Sequence, residues 1–233
     1  MPVTKRPSNK ILASLSPDDL AHVFSRLEHV PLEFGQRLYQ ADETIKYLYF
    51  PEAGIVSLIS RTYDSSFIEV GMLGREGLAG FSVALGVKRS ANDAVVQGAG
   101  SAHRILARDF IEMCQTVGRL QQAALRFVHG LMTQTSLAAA CNAYHPTDRR
   151  LARWLLMTHD RMRTDEFEIT QDFLSHMLGV RREAVNRAVG ELRRTGLIDF
   201  SRAKMKIKDR KGLESIACYC YARIVDAYRK RST

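Results

Sequence analysis

The stretch from Ile169 to Leu197, ITQDFLSHMLGVRREAVNRAVGELRRTGL, constrains what this chain can fold into more than any other. On a helix turning about 100° per residue, Arg182, Glu183, Asn186, Arg187, Gly190, Arg193 and Arg194 share an arc of about 140°. Ala184, Val185, Ala188, Val189 and Leu192 fill a separate arc, so one face is charged and the other apolar. Just upstream, Thr170 has the chemistry of an N-cap for a helix whose buried face is Phe173, Leu174, Met177 and Leu178. Gly179 suits the left-handed residue that ends it. Two short amphipathic helices joined at Gly179-Val180 make a helix-turn-helix.

The polar face carries base-reading chemistry. Arginine offers two parallel donors to guanine O6 and N7, glutamate accepts from cytosine N4, and asparagine satisfies adenine N6 and N7. Spacing alone leaves open an ordinary helical hairpin with a solvated charged face. Charge placement favours the reader. The formal net charge is +9, from 34 Lys+Arg against 25 Asp+Glu. From Met1 to Pro146 the count is 14 against 13, whereas from Thr147 to Thr233 it is 20 against 12. The excess sits where a phosphate backbone would be met.

The opening MPVTKRPSNK lacks the apolar core of a signal peptide, and no apolar run is long enough to span a bilayer. A cytoplasmic protein with no membrane partner is expected. Cys114, Cys141, Cys218 and Cys220 form no C-x-x-C pair and no clustered ligand set, so buried inert thiols are expected. No metal site and no cofactor is predicted. No His/Asp/Ser constellation or phosphate-cradling loop supports an enzyme; the Gly-rich LGREGLAGFSVALGVKRS lacks the G-K-[ST] ending of a P-loop. His145, His159 and Asp160 read as solvated helix-end residues.

In chain order, Ser16-Pro17-Asp18-Asp19 starts a helix reaching about Glu28 and burying Leu20, Val23, Phe24 and Leu27. From Val30 to Leu106, short apolar segments alternate with Gly, Asp, Ser and Asn, a β-sandwich or barrel texture. Tyr63-Asp64-Ser65-Ser66 is predicted as one hairpin turn. A short helix from Ala107 gives way near Gly118 to a long one over Arg119–Tyr144. On it Leu120, Ala124, Phe127, Leu131, Gln134, Ala138 and Cys141 recur at spacings of four and three, the seam of a helix pairing with its twin. The alternative is a helix packed on its own sandwich. Pro146-Thr147-Asp148 restarts a helix to about His159, with Leu151, Trp154 and Leu155 inward and Arg149, Arg150 and Arg153 outward. After a short strand, Glu166–Ile169, comes the reader. Then a hairpin with Arg202 and Lys204 at its tip forms a wing, and a single amphipathic helix from Asp209 to about Tyr228 closes the chain.

This layout, and above all ITQDFLSHMLGVRREAVNRAVGELRRTGLI, resembles the CRP/FNR superfamily of bacterial transcription regulators. The resemblance implies an α+β fold: an N-terminal cyclic-nucleotide-binding-like jelly roll (1–118), a dimerisation helix (119–146) and a C-terminal winged helix-turn-helix with a final helix (147–233). It implies a homodimer on a two-fold symmetric duplex DNA operator, with RNA polymerase as a further partner. Arg182, Glu183 and Arg187 match the family's base-reading positions, and Asn186 a position that varies among its branches. Thr170 falls where the family sets a hydroxyl on a phosphate, and Gln171, Arg181, Arg202 and Lys204 complete the expected DNA contacts. The sensor half departs from the family's cyclic AMP pattern. Arg89-Ser90 stands where that pattern has Arg-Ser, but Gly80-Phe81 replaces Gly-Glu, and an aromatic ring cannot accept the ribose hydrogen bond. These four residues mark the candidate effector pocket, for an effector other than cyclic AMP in the usual mode. A cyclic-nucleotide module acting through protein contacts is the competing reading, carried by Arg89-Ser90. No cysteine precedes Cys114, so the cluster of the oxygen-sensing branch is absent.

Overall fold

The computed structural model describes residues 6–61 and 67–229. The predicted turn at Tyr63–Ser66 lies outside the described residues. The chain packs as two compact units. One gathers the residues up to Ile59, Gly71–Met132 and the chain from Tyr228 onward; the other gathers Ser60–Val70 and Thr133–Ala227.

In the first unit, α1 (Lys10–Ala13) is capped by Asn9, whose side chain accepts from the Ile11 and Leu12 amides. The next helix, α2 (Pro17–Phe24), starts as the sequence predicts, with Ser16 Oγ accepting from Asp19 N at 3.2 Å. It ends earlier than expected, since Glu28 already opens a strand. That strand, β1 (Glu28–Leu32), and β2 (Arg37–Tyr39), β3 (Tyr47–Arg61), β4 (Phe67–Leu73) and β5 (Asp93–Leu106) form one antiparallel sheet. Its order is β1-β5-β3-β4, with β2 also on β5. Segments that read as separate short strands are two long ones, β3 and β5, whose register slips between Pro51 and Val56. There Gly54 takes φ +88°, and a Cβ on it would meet Gly98 O at 2.4 Å. The bulge lets both strands bend without ending.

α3 (Ala107–Thr116) leads into α4 (Gly118–Tyr144), the predicted long helix. Its presumed twin-facing seam is corrected by the structure. Leu120, Ala124, Phe127, Leu131, Gln134 and Cys141 are buried within their own chain, and Ala138 is half-buried. Phe127 shows the reason: its ring stacks near Tyr228 and meets Phe81 edge-on. Gly77 is what admits it, because a Cβ there would lie 2.9 Å from the ring. Further along, Gln134 Oε1 accepts from Arg161 Nη2 at 3.3 Å. The stripe left open on α4 is another one, Gln122, Leu125, His129, Met132, Ser136 and Ala139, with Met132 65% exposed.

The second unit holds α5 (Thr147–Met162), β6 (Glu166–Glu168), α6 (Gln171–Leu178), α7 (Arg182–Arg194), β7 (Ile198–Ser201) and β8 (Lys204–Ile207). Its strands form a small sheet in the order β6-β8-β7. α5 is buried almost all round. Arg150 and Arg153, expected outward, are buried, while Arg149 is exposed. The Arg150 guanidinium is drawn in by the free carbonyl of Leu178 at the end of α6, to which Nη2 donates. Arg153 Nη1 lies 3.4 Å from Met157 Sδ.

The predicted closing helix is also corrected. It is two helices, α8 (Arg210–Ile216) and α9 (Cys220–Arg229). Ala217 takes an extended ψ of 144° and breaks the run. His159 and Asp160 are not merely solvated ends. Arg210 donates to both, Tyr221 Oη donates to Asp160 Oδ2 at 2.9 Å, and His159 Nε2 lies 2.7 Å from Asp165 Oδ1.

Candidate nucleic-acid interface

Local chemistry sets the two reader helices. Thr170 Oγ1 accepts from Phe173 N at 3.1 Å, so α6 starts at the predicted cap. Its last turn closes on Gly179 in the left-handed conformation, φ +59°. A Cβ at Gly179 would meet Ile68 Cδ1 at 2.5 Å, so that side chain would have to shift, and the positive φ itself favours glycine. The chain then re-enters helix at Arg182, with Glu183 in the first turn and Arg193 and Arg194 in the last, both suited to the helix dipole.

The faces of α7 sort as its periodicity requires. Val185, Ala188, Val189 and Leu192 are buried. Arg182, Glu183, Asn186, Arg187 and Gly190 are exposed, as is Arg181 just before them. Near the helix end Arg194 Nη2 donates to Glu191 Oε1 at 2.7 Å, which holds the Glu191 carboxyl below its usual range. By contrast, the side chains of Arg181, Arg182, Glu183, Asn186 and Arg187 neither hydrogen-bond nor ion-pair with any described residue. Three donors of planar geometry, an acceptor and an amide therefore stand together with their hydrogen-bonding capacity unspent.

The wing is a two-residue hairpin. Ser201 pairs with Lys204, and Arg202 and Ala203 between them both have positive φ, +48° and +62°. Such a turn favours Asn-Gly. Here the strained backbone is held by Ile169 N donating to Ala203 O at 2.7 Å. Arg202 and Lys204 are exposed. Of the other predicted DNA contacts, Thr170 is exposed and Gln171 half-buried at the first position of α6.

The polar atoms of the predicted effector residues are partly engaged within the chain. Gly80 N donates to Tyr39 Oη at 3.0 Å, and the Tyr39 hydroxyl also hydrogen-bonds Ser90. Burial pushes the Tyr39 phenol up to about 12. Ser90 Oγ is occupied further by Asn92, Phe81 faces Phe127, and Arg89 is exposed with its backbone bridged to Thr44. The chain's own tyrosine thus takes up the Gly80 amide and part of the Ser90 hydroxyl. A cavity of ≈ 300 Å³ in this unit lies elsewhere, among Val83, Val87, Phe110, Ile111 and Cys114, and none of the four residues lines it.

The thiols are placed otherwise than expected. Cys114 stands apart, its thiol pushed up to about 11 by burial. Cys141, Cys218 and Cys220 converge with His145, all four ligand atoms lying within 4.8 Å of one another. Sequence reading missed this because it sought C-x-x-C pairs. The signal available was Cys141-x₃-His145, whose i,i+4 spacing shares a helix face, together with Cys218-x-Cys220.

Residues 149–216 match the family model described as the Crp-like helix-turn-helix domain. The resemblance read from the sequence thus holds where it was most specific. Solved structures extend it to the whole fold. A crp/fnr-family regulator from Eubacterium rectale superposes with a TM-score of 0.68 at 17% identity, covering 87% of this chain and 94% of that one. FixK2 from Bradyrhizobium japonicum gives 0.67 at 14% identity, over 82% and 98% of the two chains. The c-di-GMP responsive regulator CLP of Xanthomonas campestris gives 0.66 at 15%, over 82% and 99%. No curated protein matches by sequence. The chain therefore has the α+β fold of CRP/FNR-type regulators, and no helix among its described residues is long and apolar enough to cross a membrane.

Proposed function

We propose that this chain is a homodimeric, sequence-specific DNA-binding transcriptional regulator in which α7 enters the major groove. One observation carries the reading. Arg182, Glu183, Asn186 and Arg187 form an exposed, unpaired polar face on a helix anchored by its opposite side. Arg182 and Arg187 suit guanine, Glu183 cytosine and Asn186 adenine. Arg181, Arg202 and Lys204 would neutralise phosphates on either side, and Gln171 would reach the backbone from the first turn of α6. Thr170 Oγ1 accepts from Phe173 N, which leaves its hydroxyl hydrogen for a phosphate oxygen.

The dimer contact belongs on the open stripe of α4, not on the stripe read from the sequence. Gln122, Leu125, His129, Met132, Ser136 and Ala139 recur at three and four residues and include the exposed apolar side chains Leu125 and Met132. Cyclic AMP in the usual mode does not suit the sensor half, since Tyr39 holds the Gly80 amide and Phe81 offers no acceptor. Calorimetry with cyclic AMP should return no heat. RNA polymerase is the expected protein partner of such a regulator, and no enzymatic activity is proposed.

The decisive experiment selects bound duplexes from random DNA. It should return a two-fold symmetric site with half-sites about one helical turn apart. Arg187→Ala should then weaken that site while sparing random duplex. Equal losses on both would overturn the reading.

A further inference from the structure

The second unit contains a buried cluster that DNA reading does not use. Cys141 lies in the last turn of α4, and His145 follows that helix. Cys218 sits in the break between α8 and α9, and Cys220 opens α9. Cys141 Sγ and Cys218 Sγ are 3.3 Å apart, and Cys220 Sγ is 3.8 Å from His145 Nδ1. The three cysteines are free thiols, buried at 0%, 3% and 2% exposure.

The backbone break is what assembles the set. In a continuous helix, residues two apart point about 200° away from each other. Cys218 and Cys220 would then lie on opposite faces. The extended Ala217 and the restart at Cys220 turn both sulfurs to the same place.

The surroundings carry charge that calls for an anion. Arg150 and Arg153 are each 6% exposed, and neither has a carboxylate partner among the described residues. The Nε atoms of both are buried without a hydrogen bond. A buried cation without a counter-charge costs several kcal/mol or more. The Arg153 guanidinium interacts electrostatically with all three sulfurs. A divalent ion bound by three thiolates and a neutral imidazole carries one net negative charge, which the Arg153 guanidinium would balance.

We propose that Cys141, His145, Cys218 and Cys220 form a closed, tetrahedral site for a single zinc ion. Zinc–sulfur bonds of about 2.3 Å give a tetrahedron with edges of about 3.8 Å, the scale of the separations found here. An iron–sulfur cluster, with its ligands spread around several metal atoms, needs a wider cage. Magnesium and calcium prefer oxygen donors, which this set lacks. With four protein ligands and buried sulfurs the site has no open position, so its role is structural. It ties the end of α4 to the α8–α9 break across 77 residues of chain. Loading releases the thiol protons to solvent and makes affinity rise with pH.

The test uses the full chain, purified without a metal column or chelator and kept reduced. Elemental analysis should find about one zinc per chain. Cys218→Ser and Cys220→Ser should each lower retained zinc at least tenfold, while Cys114→Ser keeps it. Should the serine variants fail to fold, the wild-type chain still decides. Replacement with Co²⁺ should give a thiolate charge-transfer band and the intense visible bands of tetrahedral cobalt. Three of the four thiols should resist a thiol reagent until a chelator is added. Four freely reactive thiols with no transition metal would overturn the proposal. So would a Cys141–Cys218 disulfide in metal-free protein, or several irons with labile sulfide. The DNA-reading assignment can fail without touching this result, because metal content and cobalt spectra do not depend on an operator.

Discussion

The two helices α4 and α7 present opposite kinds of open surface. Each buries an apolar stripe within its own unit. What remains open on α7 is Arg182, Glu183, Asn186 and Arg187, side chains that water solvates well and that a polyanion can engage at little cost. What remains open on α4 includes Leu125 and Met132, which water solvates badly and only another apolar surface can cover. The contrast teaches that a helix's partner is announced by the chemistry of its exposed side, while its buried side reports only that something covers it. Phe127 and Val189 are both buried within their own chain.

The sharpest way to break this comparison is at the buried stripe of α4. Phe127→Ala should cost about 3–5 kcal/mol of unfolding free energy, because the ring is packed by Phe81, Gly77 and Tyr228 of its own chain. Denaturant titration measures it. A variant that stayed as stable as wild type but became monomeric would return Phe127 to the twin. On the open stripe the expectation reverses. Changing Leu125 and Met132 together to Asp should turn the proposed dimer into monomer in sedimentation, with a spectroscopically intact fold.

The open face of α7 should respond next. Arg187→Ala should lose about 1–3 kcal/mol on the selected operator and far less on random DNA, read by titration at fixed salt. At the wing, Ala203→Gly should raise stability by about 0.5–1 kcal/mol, because glycine adopts the positive φ of +62° without a Cβ penalty. A destabilised glycine variant would show that the turn is not strained. The smallest effect is expected from Lys204→Ala, which should lower the slope of log affinity against log salt by about 1 and leave site preference unchanged.

Legibility followed the range of the determining forces. The Thr170 cap, the Gly179 turn, the sorted faces of α7 and the Arg202-Lys204 wing all depend on residues within a few positions of one another, so they could be read along the chain. β3 and β5 were read as fragments, because Gly54 and the nearby bulges look like strand ends when the paired strand is not in view. Arg150 and Arg153 were placed outward because arginine favours water. Only the Leu178 carbonyl, 28 residues away from Arg150, could draw that guanidinium in. The hydrogen bond from Gly80 to Tyr39 was hidden for the same reason, since Tyr39 comes from a strand some forty residues upstream.

By itself the sequence determined a helix-turn-helix with a charged outward face, a long helix before it and a β-rich half preceding both. Those features follow from periodicity and capping, which act over single turns. Only the tertiary structure decided which stripe of α4 is covered from within and which is left open. It also decided that three thiols and an imidazole meet. Each of those outcomes depends on chain segments far apart in sequence arriving at one place, and side-chain pattern carries no record of that distance.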